Sequence, residues 1–166
     1  MAKHCKIGCS LAEKGLIKDA QRIIAKLAAR GAKLLLPQDV HVAKSLSTSA
    51  IATLKSVDEV ADDDLILDFG PQTMRQISKL IHAAKTVVWN GPIGVFELSA
   101  FAEGTKELAQ AIAKSEAFSI AGGGDTLAAM MVFHVKNEID YISTGGGAFL
   151  EFLAGKSLPA VQVLSK

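Results

Sequence analysis

Two glycine triplets, each directly after a short apolar run and directly before a helical one, constrain this 166-residue chain more than any other feature. The first lies in Ile120 to Thr126 (IAGGGDT) and the second in Ser143 to Gly147 (STGGG). Glycine tolerates positive φ and lets backbone approach a ligand closely, so a strand ending in such a run reads as a phosphate-binding turn. Thr126 is expected to N-cap the helix that LAAMMVF suggests. Asp125 stands where a metal bound to phosphate needs a carboxylate, the alternative being a helix-capping acid favoured by the dipole. Helix N-termini carry unpaired N–H groups and about half a positive charge, so the termini after Gly124 and Gly147 are expected to hold two phosphoryl groups.

The rest of the chain supplies the sheet on which such turns sit. Between Glu13 and Arg30, the residues Leu16, Ile17, Ala20, Ile23, Ile24, Leu27 and Ala28 recur at helical spacing, with Gly31 as the C-terminal cap. Lys33 to Leu36 (KLLL) reads as a doubly covered strand stopped by Pro37, VHVA as its extension, SLSTSAIATL as polar loop and DEVADDD as a solvated acidic turn. LILDF (Leu65 to Phe69) is a strand, followed by Gly70-Pro71 and a helix over Thr73 to Ala84. Strands then alternate with helices: TVVW (Thr86 to Trp89), a helix over Phe101 to Ser115, a strand over Ala117 to Ala121, a helix over Leu127 to Phe133, a strand over Tyr141 to Ser143 and a helix over Ala148 to Leu153. This alternation predicts an α/β, Rossmann-like fold, a three-layer parallel sheet with helices on both faces and right-handed crossovers. The turns at Gly70, Asn90, Gly122 and Gly145 would all lie at its carboxyl edge, where α/β sheets bind ligands.

Composition removes several function classes. Lys and Arg total 18 against 17 Asp and Glu, a net charge of +1, which gives no basic field for nucleic acid. No apolar run approaches the roughly 20 residues of a membrane span, and the N-terminus has no signal-peptide core, so a cytoplasmic protein is expected. Cys5 and Cys9 with His4 lack the second ligand pair that a zinc site needs and read as ordinary thiols. GKS at Gly155 is no P-loop, since Leu150 stands where its first glycine belongs, and Leu127 and Leu150 spoil GxGxxG in both triplets. His41, His82 and His134 have no partnered Ser or Cys for a hydrolytic triad. In WNGPIGVFE, Asn90 reads either as a phosphate or ribose donor or as a turn residue, Glu97 as a first-turn helix acid before a ribose ligand, and Trp89 as core.

TVVWNGPIGVFE, SIAGGGDT and YISTGGGAFLEFLAGKSLPAV, in this order and spacing, resemble the C-terminal nucleotide-binding domain of phosphoglycerate kinases of bacterial type. LILDFGP and LLLPQDVHVA fit the same pattern, so the resemblance runs from about Ile7 to Leu164. It implies ATP:3-phosphoglycerate phosphotransfer, with residues 1–166 forming one nucleotide-binding domain, part of the C-terminal domain of a two-domain kinase. Carried over, Gly123, Gly124, Asp125 and Thr126 would contact nucleotide phosphates, Asp125 would serve Mg²⁺, and Asn90 and Pro92 would line the nucleotide cleft. Glu97 would bind the ribose hydroxyls. Gly145, Gly146 and Gly147 would aim the last helix at the phosphoryl in flight, with Thr144 near the hinge between the family's two domains.

The family's N-terminal domain, which holds 3-phosphoglycerate and an essential arginine, has no counterpart here, nor has the glycine-lysine segment that binds nucleotide early in its C-terminal domain. Neither triplet has an adjacent Lys or Arg, and phosphoryl transfer depends on cationic stabilisation. The chain alone is therefore expected to bind ATP or ADP without turning over, and to self-associate or need a complementary chain. The alternatives are a non-catalytic nucleotide-binding module and a purely structural α/β domain.

Overall fold

A computed structural model describes residues 5–165; His4, from the possible thiol-histidine cluster, lies outside them. The chain forms two compact units, the first made of residues up to 77 together with 93–104, the second of 78–92 and everything from 105 onward.

The first unit begins with α1 (Ile17–Ala29). It ends as its sequence predicts: Gly31 has φ +69, its N–H donates to the Ala28 carbonyl, and the Ala32 N–H donates to that of Leu27. This paired closure is a Schellman motif, which satisfies two otherwise orphaned carbonyls. The helix buries no residue, and Leu16 and Ile23 on its apolar stripe are 52% and 55% exposed.

The strands of this unit are β1 (Asp39–Ala43), β2 (Thr53–Ser56) and β3 (Leu65–Phe69), in the order β2-β1-β3 with both pairings antiparallel. The single parallel sheet expected from the sequence is thus confined to the second unit. KLLL is not a strand. Leu34 and Leu36 remain 42% and 38% exposed, and the pairing begins after Pro37, at DVHVA. β2 starts in the stretch read as polar loop, with Thr53 and Leu54, and only Lys55 of its four residues is even partly buried. One face of the sheet packs Val40, Val42 and Val60 with Val57, Ile66 and Phe69, and the other packs Ala43, Leu67 and Phe101. Each fully buried valine contributes roughly 1.5–3 kcal/mol over an exposed one.

Two carboxylates fasten this unit. Asp39 of β1 accepts hydrogen bonds from the Gln72 and Thr73 N–H groups and the Thr73 hydroxyl, so it caps α2 (Pro71–Ala83) from another element. Against the upward push of burial, those bonds hold its carboxyl below the ordinary range. Asp64 is the last acid of DEVADDD and is fully buried, whereas Asp62 and Asp63 are exposed, so the acidic turn is only partly a solvated face. Lys44, just after β1, lies 2.8 Å from Asp64 Oδ1, while Lys55 of β2 and the Ala61 N–H each reach Oδ2 at 2.7 Å. The Asp64 carbonyl accepts from the Cys9 N–H.

The second unit holds the parallel sheet, β4 (Thr86–Trp89), β5 (Phe118–Ala121) and β6 (Tyr141–Ile142), ordered β4-β5-β6. α3 (Glu103–Ala113) lies between β4 and β5 in the chain, and α4 (Gly124–Val132) between β5 and β6; α5 (Gly147–Leu153) and α6 (Pro159–Leu164) follow. The α/β class with a parallel sheet flanked by helices is as the alternation predicts. Ala121, Ala129 and Met130 are fully buried, and Trp89 is core. Ser119 donates its N–H and hydroxyl to Asp140 Oδ2 and accepts from the Asp140 N–H, which ties the start of β6 to β5. On the sheet face defined by Val88, Ile120 and Tyr141 in register, Val88, Phe118 and Tyr141 are about half exposed. Among the described residues no helix is long and apolar enough to cross a membrane.

The ammonium groups of Lys44 and then Lys55 hold the Asp64 carboxyl far below the usual carboxylate range. Its folded value lies below its unfolded one, so its stabilisation is present above the ordinary range and lost as pH falls through the depressed value. Asp64→Asn should cost about 2 kcal/mol, between an exposed and a fully buried ion pair, and flatten the acid side of the stability profile, as measured by urea unfolding from pH 7 down to 3.

Candidate functional site

The three strands of the parallel sheet end side by side, so their following turns converge by construction. The Gly122 N–H donates to the Trp89 carbonyl and the Ser143 N–H to that of Ala121, which extends the ladder by one step past each strand. The Asn90 turn, the first glycine triplet and the second therefore lie adjacent at the carboxyl edge of β4, β5 and β6.

Gly123 sits at the centre of this edge. It adopts φ +99, a conformation that glycine takes without strain, and a Cβ there would come within 2.9 Å of Asn90 Oδ1. Asn90 is exposed and leans over the triplet, while Pro92 at the end of its turn is half-buried. The ring of Phe149 from α5 lies against Gly122, within 2.6 Å of where a Cβ would stand. These contacts explain why backbone without side chains is required here. They also bring the two triplets together, with Phe149 as the contact between them.

Gly123, not Thr126, is the N-cap of α4, and no side chain caps that terminus. Helix geometry begins three residues earlier than LAAMMVF suggests, because Gly124 itself enters the helix. Gly124 and Asp125 are then exposed in its first turn. Thr126, at the third position, is fully buried, and its hydroxyl accepts a 2.7 Å hydrogen bond from the Gly91 N–H. The Thr126 hydroxyl thus locks the Asn90-Gly91 turn onto α4. Trp89 adds to the lock by donating its indole N–H to the Gly91 carbonyl at 2.8 Å. Nothing in the sequence signals the Thr126–Gly91 bond, which joins residues 35 positions apart.

The two remaining helix starts differ in kind. α2 was grouped with the phosphate turns through Gly70-Pro71, yet its N-terminal N–H groups are occupied by Asp39, so that terminus is closed. Around the second triplet, Thr144, Gly145, Gly146 and Gly147 are all exposed, and Gly146 takes φ +52 at the start of the short α5. Beside them lies a cleft of about 450 Å³ lined in part by Ser143, Thr144, Phe149, Phe152 and Leu158.

Asp125 has no hydrogen-bond or ion-pair partner among the described residues. No group of three or more His, Cys, Asp or Glu is gathered to hold a metal ion there. A lone exposed carboxylate at an uncapped helix start suits a hard cation that keeps its waters and shares a ligand's phosphate oxygens, as Mg²⁺ does. Glu97 belongs to the first unit. It is not in a helix: it is exposed on the loop before a 3-10 turn at Ser99–Phe101, so the reading as a first-turn helix acid does not hold.

An open helix N-terminus beside two glycine turns at one parallel-sheet edge is a geometry suited to an anionic ligand. The profile of the phosphoglycerate kinase family matches residues 1–156, and this chain is a member of that family. It is similar to the solved phosphoglycerate kinase of Coxiella burnetii, at 52% identity and a TM-score of 0.94, over 98% of this chain and 42% of that one. It is also similar to the enzyme of Pyrococcus horikoshii OT3, at 30% identity and a TM-score of 0.71, over 99% of this chain and 41% of the other. The chain thus spans about two fifths of the length of these relatives.

Replacing Thr126 by valine keeps the shape and removes the acceptor, leaving the Gly91 N–H unpaired. A loss of about 1–3 kcal/mol is expected, read as a lower thermal midpoint, and Thr126→Ser should recover most of it.

Proposed function

We propose that this chain supplies the Mg-ATP and Mg-ADP binding part of an ATP:3-phosphoglycerate phosphotransferase. The observation that carries the reading is the uncapped start of α4, where exposed Gly124 and the unpartnered Asp125 stand in a family whose members are kinases. Free N–H groups and the helix dipole favour a phosphate there. Gly123 and Gly124 provide the close backbone approach, Asp125 holds Mg²⁺ through its carboxylate, and the buried Thr126 acts by fixing the turn of Asn90 and Pro92. When bound, the cation would neutralise charge on the phosphate oxygens. Gly146 and Gly147 present backbone N–H groups for the transferring phosphoryl, and Gly145, whose N–H donates to the Ser143 hydroxyl at 3.3 Å, holds the turn that aims them. Glu97 enters as an exposed carboxylate that accepts hydrogen bonds from ribose hydroxyls.

Binding is not turnover. Neither triplet is flanked by Lys or Arg, so the cationic stabilisation and the 3-phosphoglycerate site must come from other polypeptide, and the chain by itself is inactive in this proposal. The apolar residues left open at Leu16 and Ile23, and at Val88, Phe118 and Tyr141, favour self-association or a complementary chain. A cytoplasmic location accords with a glycolytic role.

Calorimetric titration of Mg-ADP tests the reading. Saturable binding is expected, and Asp125→Asn should weaken it about tenfold with magnesium and little in EDTA; no heat of binding, or an unchanged mutant, overturns it. In a steady-state assay with ATP, 3-phosphoglycerate and magnesium, the chain alone should give no turnover above background. Rates like those of a full-length kinase would refute the inactivity.

A further inference from the structure

The one acid of LILDFGP has no part in the site described so far. Asp68 lies on β3, is 2% exposed, and sits beneath the loop 94–104 that carries Glu97. Its Oδ2 accepts a 2.8 Å hydrogen bond from the Gly104 N–H, at the start of α3, and its Oδ1 accepts one of 2.8 Å from the Phe69 N–H. The carboxylate also packs against Gly94 at the other end of the loop. A Cβ at either Gly94 or Gly104 would collide with it, so both positions must lack a side chain. One buried carboxylate therefore touches the loop where it leaves and where it returns.

Between those two points the loop is internally braced. The Val95 N–H donates to the Leu67 carbonyl at 2.9 Å, that of Leu98 to Val95 at 3.0 Å, and that of Phe101 to Leu98 at 2.8 Å. Phe96 and Phe101 are turned inward, with 7% and 0% exposure, while Glu97 is turned outward. Glu97 is thus the outward residue of a braced turn whose two ends both touch Asp68.

We propose that Asp68 is a positioning residue for Glu97, fastening both ends of the 94–104 loop so that the Glu97 carboxylate is presented in one direction to the ribose hydroxyls of a bound nucleotide. The inference rests on the proposed ribose role of Glu97. Burial pushes the Asp68 carboxyl above its ordinary range, partly offset by the Gly104 and Phe69 N–H bonds and by His41 of β1, while Glu103 of α3 pushes it further up. The chain retains a group that is costly to keep ionised, which fits a geometric duty better than a stabilising one.

Asp68→Asn keeps the shape but cannot accept at both oxygens, and it provides the test. Amide exchange should accelerate at least tenfold at Gly104, Val95 and Leu98 while the β1–β2 amides keep their protection. This measurement needs no nucleotide, and unchanged loop exchange overturns the fastening. Mg-ADP is then compared with its 2′,3′-dideoxy analogue by calorimetry in the wild-type chain, in Asp68→Asn and in Glu97→Gln. The wild type should prefer ADP about tenfold, the value of one charge-assisted hydrogen bond, and both variants should lose that preference while still binding the dideoxy form. Asp68→Asn weakening both ligands equally would show a merely structural role and refute the proposal. Wild type binding neither ligand would instead refute the nucleotide reading and leave the exchange result to judge the loop. Should Asp68→Asn not fold, Gly104→Ala, whose Cβ would have only Asp68 atoms as its nearest neighbours and so displaces the same carboxylate without removing it, is put through both measurements.

Discussion

Every helix begins with backbone N–H groups that have no partner inside the helix, and the structure turns on which of these are satisfied by carboxylates. Asp39 fills the start of α2 and Asp68 takes the Gly104 N–H at the start of α3. Both acids come from β-strands of the first unit, so tertiary structure closes these termini from a distance. At α4 the same geometry recurs with glycine as the cap and no acceptor provided. In water such N–H groups are solvated at little cost, and a phosphorylated ligand can replace that water. Which of these helix starts are closed and which stays open is thus a matter of where the chain places its buried acids.

That arrangement also explains why the glycines cluster as they do. At Gly122 a ring from α5 occupies the space of a side chain, at Gly123 Asn90 does, and at Gly94 and Gly104 the carboxylate of Asp68 does. In each case one group must come to within contact distance of backbone. Close approach, more than flexibility, is the common reason, and it fixes the turns rather than loosening them. Thr126 continues the theme through its buried hydroxyl, which pins the Asn90 turn to the helix beside it.

Much of this was legible in the residues, for identifiable reasons. β3 and β4 were read to the residue because LILDF and TVVW are short aliphatic runs bounded by turn formers, and α2, α3 and α4 followed from their periodicity. KLLL misled because an aliphatic run signals burial without saying that any strand is available to pair with it. β2 was hidden because an exposed edge strand need not alternate. The antiparallel order of the first sheet was illegible, since β1 reaches its neighbours through loops and not helical crossovers. In the site, the glycine triplets and Asp125 were visible as local patterns. Thr126–Gly91, Asp39–Thr73 and Asp68–Gly104 were not, because each joins residues more than thirty positions apart.

One local rule was obeyed in isolation. α1 has its amphipathic stripe and its Schellman closure, yet buries nothing. A helix of 13 residues whose stripe is only partly buried gains little from packing, and packing supplies most helical stability. Its opening free energy should therefore lie near zero while the strands that follow open only with the whole unit. Residues 17–29 would thus be open to a protease, and their protection would report sensitively on any surface that comes to cover them.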